Sequence, residues 1–168
     1  MRRIPFFGFI AMVAAAVATI AATSPGLPDP VATHFGGGGR ANGWMSRDGY
    51  VAFMAAMAVG LPTVMWASMA WLPRVAPKLV NVPHREHWMA APQREFALAS
   101  LAGFGAGFAV LTSAFVCGLH LLIVAANETA PPVLPQTGFL WLLGLFLGGL
   151  ALLLLALMWR FRRLPGRR

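Results

Sequence analysis

Acidic side chains, cysteine and charge of any kind are scarce in this chain. Five of its 168 residues are Asp or Glu, one is Cys, and 11% are charged. General acid and base chemistry normally relies on positioned carboxylates or histidines, and here no carboxylate falls within an apolar run. Neither a Ser/His/Asp arrangement nor a phosphate-cradling glycine loop is present. The lone Cys117 rules out an intramolecular disulfide, and its apolar surroundings make it a small buried hydrophobe. No enzyme, no cofactor, no metal site and no catalytic residue is expected.

Apolar residues are what the chain has in abundance. A hydrophobic fraction of 58% and a mean hydropathy of +0.69 lie outside the soluble globular range. The net charge of +8 would suit nucleic acid if it formed a stripe on a polar domain. Instead the basic residues flank apolar runs, so no nucleic-acid partner is expected and the lipid bilayer is.

A helix needs roughly 20 apolar residues to cross the hydrocarbon core. Four stretches qualify, about 4–23, 50–72, 96–126 and 139–159, within one membrane domain covering 1–168. Pro5 suits a first helical turn, and Ser24, Pro25 and Gly26 end the first run. Ser46 or Asp48 is placed to cap the second, which carries Gly60 and Pro62 near its middle. The first run also resembles a signal peptide, but it is longer than the usual apolar core of one, and retention is expected.

Basic residues in short loops stay in the cytoplasm. With the N-terminus inside, the inner segments (including loop 73–95) hold eleven Lys and Arg, from Arg2 and Arg3 to Arg167 and Arg168. The outer loops 24–49 and 127–138 hold only Arg40 and Arg47. The expectation is therefore an all-α four-helix membrane bundle, both ends inside, in the bacterial cytoplasmic membrane. In the first outer loop, alternation over Val31 to Phe35, a glycine turn and a return over Ala41 to Met45 predict a small hairpin. His34 points either over the bundle or away from it.

Helices in lipid associate through small residues and polar contacts. Gly103, Gly107, Ala114 and Gly118 form a seam on the third helix, and Gly144 and Gly148 lie on the fourth. Antiparallel pairing is expected to set Gly148 near Gly118, with Leu152 to Met158 meeting Gly103 and Gly107.

Two polar segments carry a family resemblance. One is Leu27, Pro28, Asp29, Pro30, Val31, Ala32, Thr33, His34, Phe35, then Gly43, Trp44, Met45, Ser46, Arg47. The other is Asn81, Val82, Pro83, His84, Arg85, Glu86, His87, Trp88, with Pro92 and Arg94. With His120 and the Ala126, Asn127 pair, they resemble bacterial membrane proteins containing domain of unknown function 1648, which include SdpI-like immunity proteins. Many relatives have Asn where this chain has His84. The resemblance implies a plasma-membrane protein. SdpI-like members confer immunity to a secreted peptide toxin and report it to a regulator, but they are usually longer, with a further membrane region.

His120 is the one ionisable side chain well inside a span, and such residues are costly in hydrocarbon. It lies about 10 Å below the outer end of its helix. Two readings stand for His34, His120 and Asn127: a pocket for a peptide, small ligand or metal ion, or a set of bonds that pins the loop to the bundle. Asn81, Pro83, His84 and Trp88 form the inner-loop motif, and this segment reads as a short interfacial helix with Trp88 anchored at the headgroups and Arg85 and Arg94 meeting anionic lipid. His84 and His87 alone are too few for a closed metal site. The expected function is a sensor or immunity-type accessory protein that binds a peptide or membrane-protein partner at its outer face. A small transporter or permease component is the alternative, and a purely structural subunit the third. A homo-oligomer stays open.

Overall fold

The computed structural model describes residues 4–163. Arg2, Arg3, Arg167 and Arg168, counted in the charge bias, lie outside the described residues. Helix α1 spans Ile4–Thr23 and closes in a 3-10 turn at Ser24–Gly26. Strands β1 (Val31–Phe35) and β2 (Ala41–Met45) pair antiparallel, Val31 opposite Met45 and Phe35 opposite Ala41. Gly39 in the turn has φ +75°, a conformation that side chains disfavour.

Helix α2 runs Arg47–Ala70. Its start is set by Ser46, whose side chain accepts the Gly49 N–H at 3.2 Å, while Asp48 sits in the first turn beside the positive helix end. Pro62 removes one backbone donor, yet the helix continues through it. Helix α3 (Leu72–Val75), a 3-10 turn (Pro77–Leu79) and α4 (Arg85–Met89) form the connection to α5. Helix α5 spans Ala91–Asn127 and α6 spans Gln136–Arg162. Four helices, α1, α2, α5 and α6, are long and apolar enough to cross a membrane, so the chain is a multi-pass membrane protein. At 37 residues, α5 is about 55 Å long against a hydrocarbon core of about 30 Å, so it projects well beyond it.

Helix α5 is the hub, with α1, α2 and α6 each packed on it. The α2 contact is close at Gly105, where an added Cβ would meet Met69 Cβ at 2.8 Å. The α6 contact differs from the sequence expectation. Gly118 faces Leu142, Leu111 faces Gly149, and Gly107 faces Leu153, with Phe115 and Phe146 rings 4.5 Å apart between them. Each step up α5 is matched by an equal step down α6. Gly148 is therefore not opposite Gly118, because Leu142 occupies that depth six residues earlier. At Gly103, Gly144 and Gly148 an added Cβ would meet no atom within 4 Å, and Ala114 is exposed. Of the expected packing glycines only Gly107 and Gly118 lie in a helix contact, each filled by a leucine of α6.

The register follows from the α5–α6 connection. Rather than turning directly, residues 132–134 reach the hairpin: Ala41 N–H donates to the Pro132 carbonyl at 3.2 Å and Leu134 N–H to the Gly39 carbonyl at 2.8 Å. Gly138 then lies against Leu122, below the end of α5.

Candidate functional site

The hairpin end of the bundle holds a connected set of polar side chains. Tyr50 sits one turn into α2 because the Ser46 cap fixes where that helix begins. Thr23 ends α1, and His120 lies two turns before the end of α5. All three meet: His120 Nε2 is 2.6 Å from Thr23 Oγ1, and Nδ1 is 2.8 Å from the Tyr50 hydroxyl. His120 is fully buried and Tyr50 almost so, their rings stacked with centroids 5.7 Å apart.

Hydrogen-bond inventory assigns the direction of each bond. Thr23 Oγ1 already donates its single hydrogen to the Thr19 carbonyl at 2.8 Å. Its contact with His120 must therefore be accepted from Nε2–H, which leaves Nδ1 bare to accept the Tyr50 O–H. Neutral His120 thus has both ring nitrogens satisfied, linking α1, α2 and α5 in a region where an unpaired polar group is costly. Its partner Tyr50 belongs to the core cluster with Ala16, Ile20, Val31, Met54, Val116 and Ile123.

Asn127 performs a second tie. Its Oδ1 accepts the Ala32 N–H at 2.9 Å, and its Nδ2 donates to the Ala32 carbonyl at 2.9 Å and to the Ile123 carbonyl at 2.8 Å. A side-chain amide so placed imitates a neighbouring strand and closes the free edge of β1 against α5. Arg47 adds a third tie, its N–H donating to Asp29 Oδ1 at 3.2 Å and its guanidinium to the Leu27 carbonyl at 3.3 Å.

His34 does not join this group. Val31 and Ala32 are both buried, the pairing is irregular on either side of His34, and His34 turns to solvent, where Nδ1 lies 3.0 Å from Thr33 Oγ1 and the ring packs on Gly43. The three residues expected to converge thus separate into a buried tie at His120, a half-buried one at Asn127 and one exposed imidazole. Trp44 is 52% exposed, and Arg40 and Asn42 are exposed on the same hairpin.

At the opposite end, the expected interfacial anchor Trp88 is buried, 1% exposed. Its indole N–H donates to the Phe161 carbonyl at 2.8 Å, and its ring packs among Val80, Ala97, Leu101 and Phe161. An indole satisfied in this way fills a core better than it anchors at headgroups. The Arg160 guanidinium covers the Trp88 and Phe96 rings at 5.5 and 4.1 Å. His84 has φ +54°, a left-handed conformation in which Asn is well tolerated, and is exposed. Asn81 borders a cleft of about 160 Å³ between α2, α5 and α6, and Pro83 precedes α4. These four residues shape a turn and dock it. Among the described residues no group of three or more His, Cys, Asp or Glu could hold a metal ion. The methionines of α2 serve as packing, Met54 and Met57 in the core near the hairpin and Met69 near Trp88.

Sequence reasoning singled out His120 and Asn127 but missed Tyr50, Thr23 and the pairing of residues 132–134. Tyr50 carried one signal, as the sole tyrosine of the chain at the start of an apolar helix.

The family model described as Domain of unknown function (DUF1648) matches residues 11–59, which supports that domain family for most of α1, the hairpin and the first half of α2. No curated protein and no solved structure matches the chain.

Proposed function

We propose that this is a non-enzymatic membrane protein of the bacterial cytoplasmic membrane whose hairpin is a docking surface for a peptide or protein partner outside the cell. The supporting observation is the division of labour at the hairpin end. His120, Tyr50, Thr23 and Asn127 are spent on one another and on the backbone, which leaves a fixed platform with His34, Arg40 and Trp44 outward. A rigid platform lowers the ordering cost of binding. Exposed Trp and Arg are the side chains that dominate binding energies when a partner covers them.

Orientation rests on charge: along the sequence, eleven Lys and Arg fall in the terminal segments and the 73–95 loop against two in the hairpin loop, which argues that both chain ends face the cytoplasm. The SdpI-like resemblance favours an immunity or sensing role, with a secreted peptide as the partner class. His120 serves as a structural tie in this reading, so peptide response should depend on the hairpin surface.

The test is deletion of the gene followed by challenge with a panel of envelope-active peptides, complemented with variants. Loss of protection on deletion, restored by the native chain and not by Trp44→Ala with His34→Ala, is the expected result. Equal survival of deleted and complemented cells across the panel would refute the immunity reading. Restoration by the double variant would move the docking surface off the hairpin.

A further inference from the structure

Away from the hairpin, α1, α2 and α5 leave a groove of about 440 Å³, with Phe6, Phe7, Trp66, Ala102 and Gly103 among its lining and Arg74 on its rim. Its wall is rigid for a reason visible in the rings. Phe6 lies 5.3 Å from Trp66, and Phe9 stacks on the same indole at 6.1 Å. Its floor is open because Gly103 meets nothing: a Cβ there would find no atom within 4 Å, whereas Gly105, two residues on, is closed off by Met69. The volume falls in the range of ordinary ligand pockets, and among the described residues the lining is apolar apart from Arg74. None of the described residues fills this space, and in a bilayer a lipid chain is the molecule at hand.

The position of Arg74 says which lipid. Helix α2 has 24 residues, about 36 Å, so the residues just past Ala70 clear a hydrocarbon core of about 30 Å. Trp71, 61% exposed beside them, has the side chain that favours headgroup depth. Arg74 follows on α3 and is exposed, one guanidinium N–H donating to the Ala70 carbonyl. The other donors of its fork are left for an oxyanion, the geometry that suits phosphate. An apolar slot ending at a guanidinium complements a lipid with a negative head.

We propose that the groove seats one acyl chain of an anionic phospholipid whose phosphate is bound by Arg74. The site is independent of the hairpin and of its function. The full chain, purified in detergent, is titrated with phosphatidylglycerol or with phosphatidylcholine of the same acyl chains, and bound lipids are counted by native mass spectrometry. Phosphatidylglycerol should be retained about fivefold better, the factor expected for one basic residue near an anionic head. Arg74→Gln should remove that preference and Arg74→Lys keep most of it. Gly103→Leu, which fills the floor, should lower retention of both lipids, while Gly103→Ala, for which there is room, should not. Equal retention of the two lipids by the native chain, or a preference that survives Arg74→Gln, overturns the proposal. So does a Gly103→Leu effect on dimer peaks with lipid retention unchanged, which would make a second copy the occupant. Trp44→Ala should leave every one of these readings unchanged, so failure here and failure of the hairpin reading are separable.

Discussion

His120 makes sense in hydrocarbon only because two hydroxyls meet it. An imidazole with one nitrogen unpaired would lose the bond and also carry the desolvation penalty of the bare group. In lipid the net value of a side-chain hydrogen bond between helices is modest, averaging about 0.6 kcal/mol with a maximum near 1.7 kcal/mol. A double-mutant cycle on Tyr50→Phe and His120→Leu, followed by unfolding in detergent, should therefore give a coupling of about 0.5–2 kcal/mol. Coupling indistinguishable from zero would mean that the 2.8 Å contact contributes nothing to the fold. His120 was legible in the sequence because a lone ionisable residue in an apolar run demands a partner. Which partner was not legible: Thr23 and Tyr50 stand 97 and 70 residues away and look ordinary at helix ends.

Apolar length announces a membrane helix, and so the existence of α1, α2, α5 and α6 could be read directly. Register could not, since a glycine says where a neighbour can approach closely but not which neighbour will come. Gly118 accepts Leu142 and Gly107 accepts Leu153, while Gly144 and Gly148, equally suitable by composition, face away from α5. The deciding feature is the detour of residues 132–134 to the hairpin, a backbone pairing with no side-chain signature. Trp88 was misplaced for a related reason, because an aromatic in a basic loop suits both an interface and a core, and only the Phe161 carbonyl decides. Cysteine pairs in a Cys117→Ala background distinguish the two registers. The pairs 107/153 and 118/142 should form disulfides under mild oxidation, and 118/148 should not. Efficient cross-linking at 118/148 with none at 118/142 would overturn the observed α5–α6 packing.

Across the whole molecule, the two connections at the hairpin end are joined into one layer. Asn127 binds β1, Pro132 and Leu134 pair with residues 41 and 39, and the Gln136 side-chain amide donates to the Gly37 carbonyl at 2.9 Å. Because α1 ends and α2 begins at this layer, and α5 ends and α6 begins there too, the start of α1 and the end of α6 must share the opposite side. Parity is therefore built into the packing, and only the direction of insertion is left to charge. The eleven-to-two distribution of Lys and Arg along the sequence is the ground for the proposed direction, since moving basic residues across is what insertion resists. Reporter fusions after residue 168 and within the turn between Gly37 and Gly38 should report opposite compartments, the first cytoplasmic and the second external. Adding four lysines to that turn while replacing Arg160, Arg162 and Arg163 with Gln should weaken the bias and yield a mixed population. A turn reporter that reads cytoplasmic in the native chain would invert the molecule, and with it the exposure of His34 and Trp44 on which extracellular docking depends.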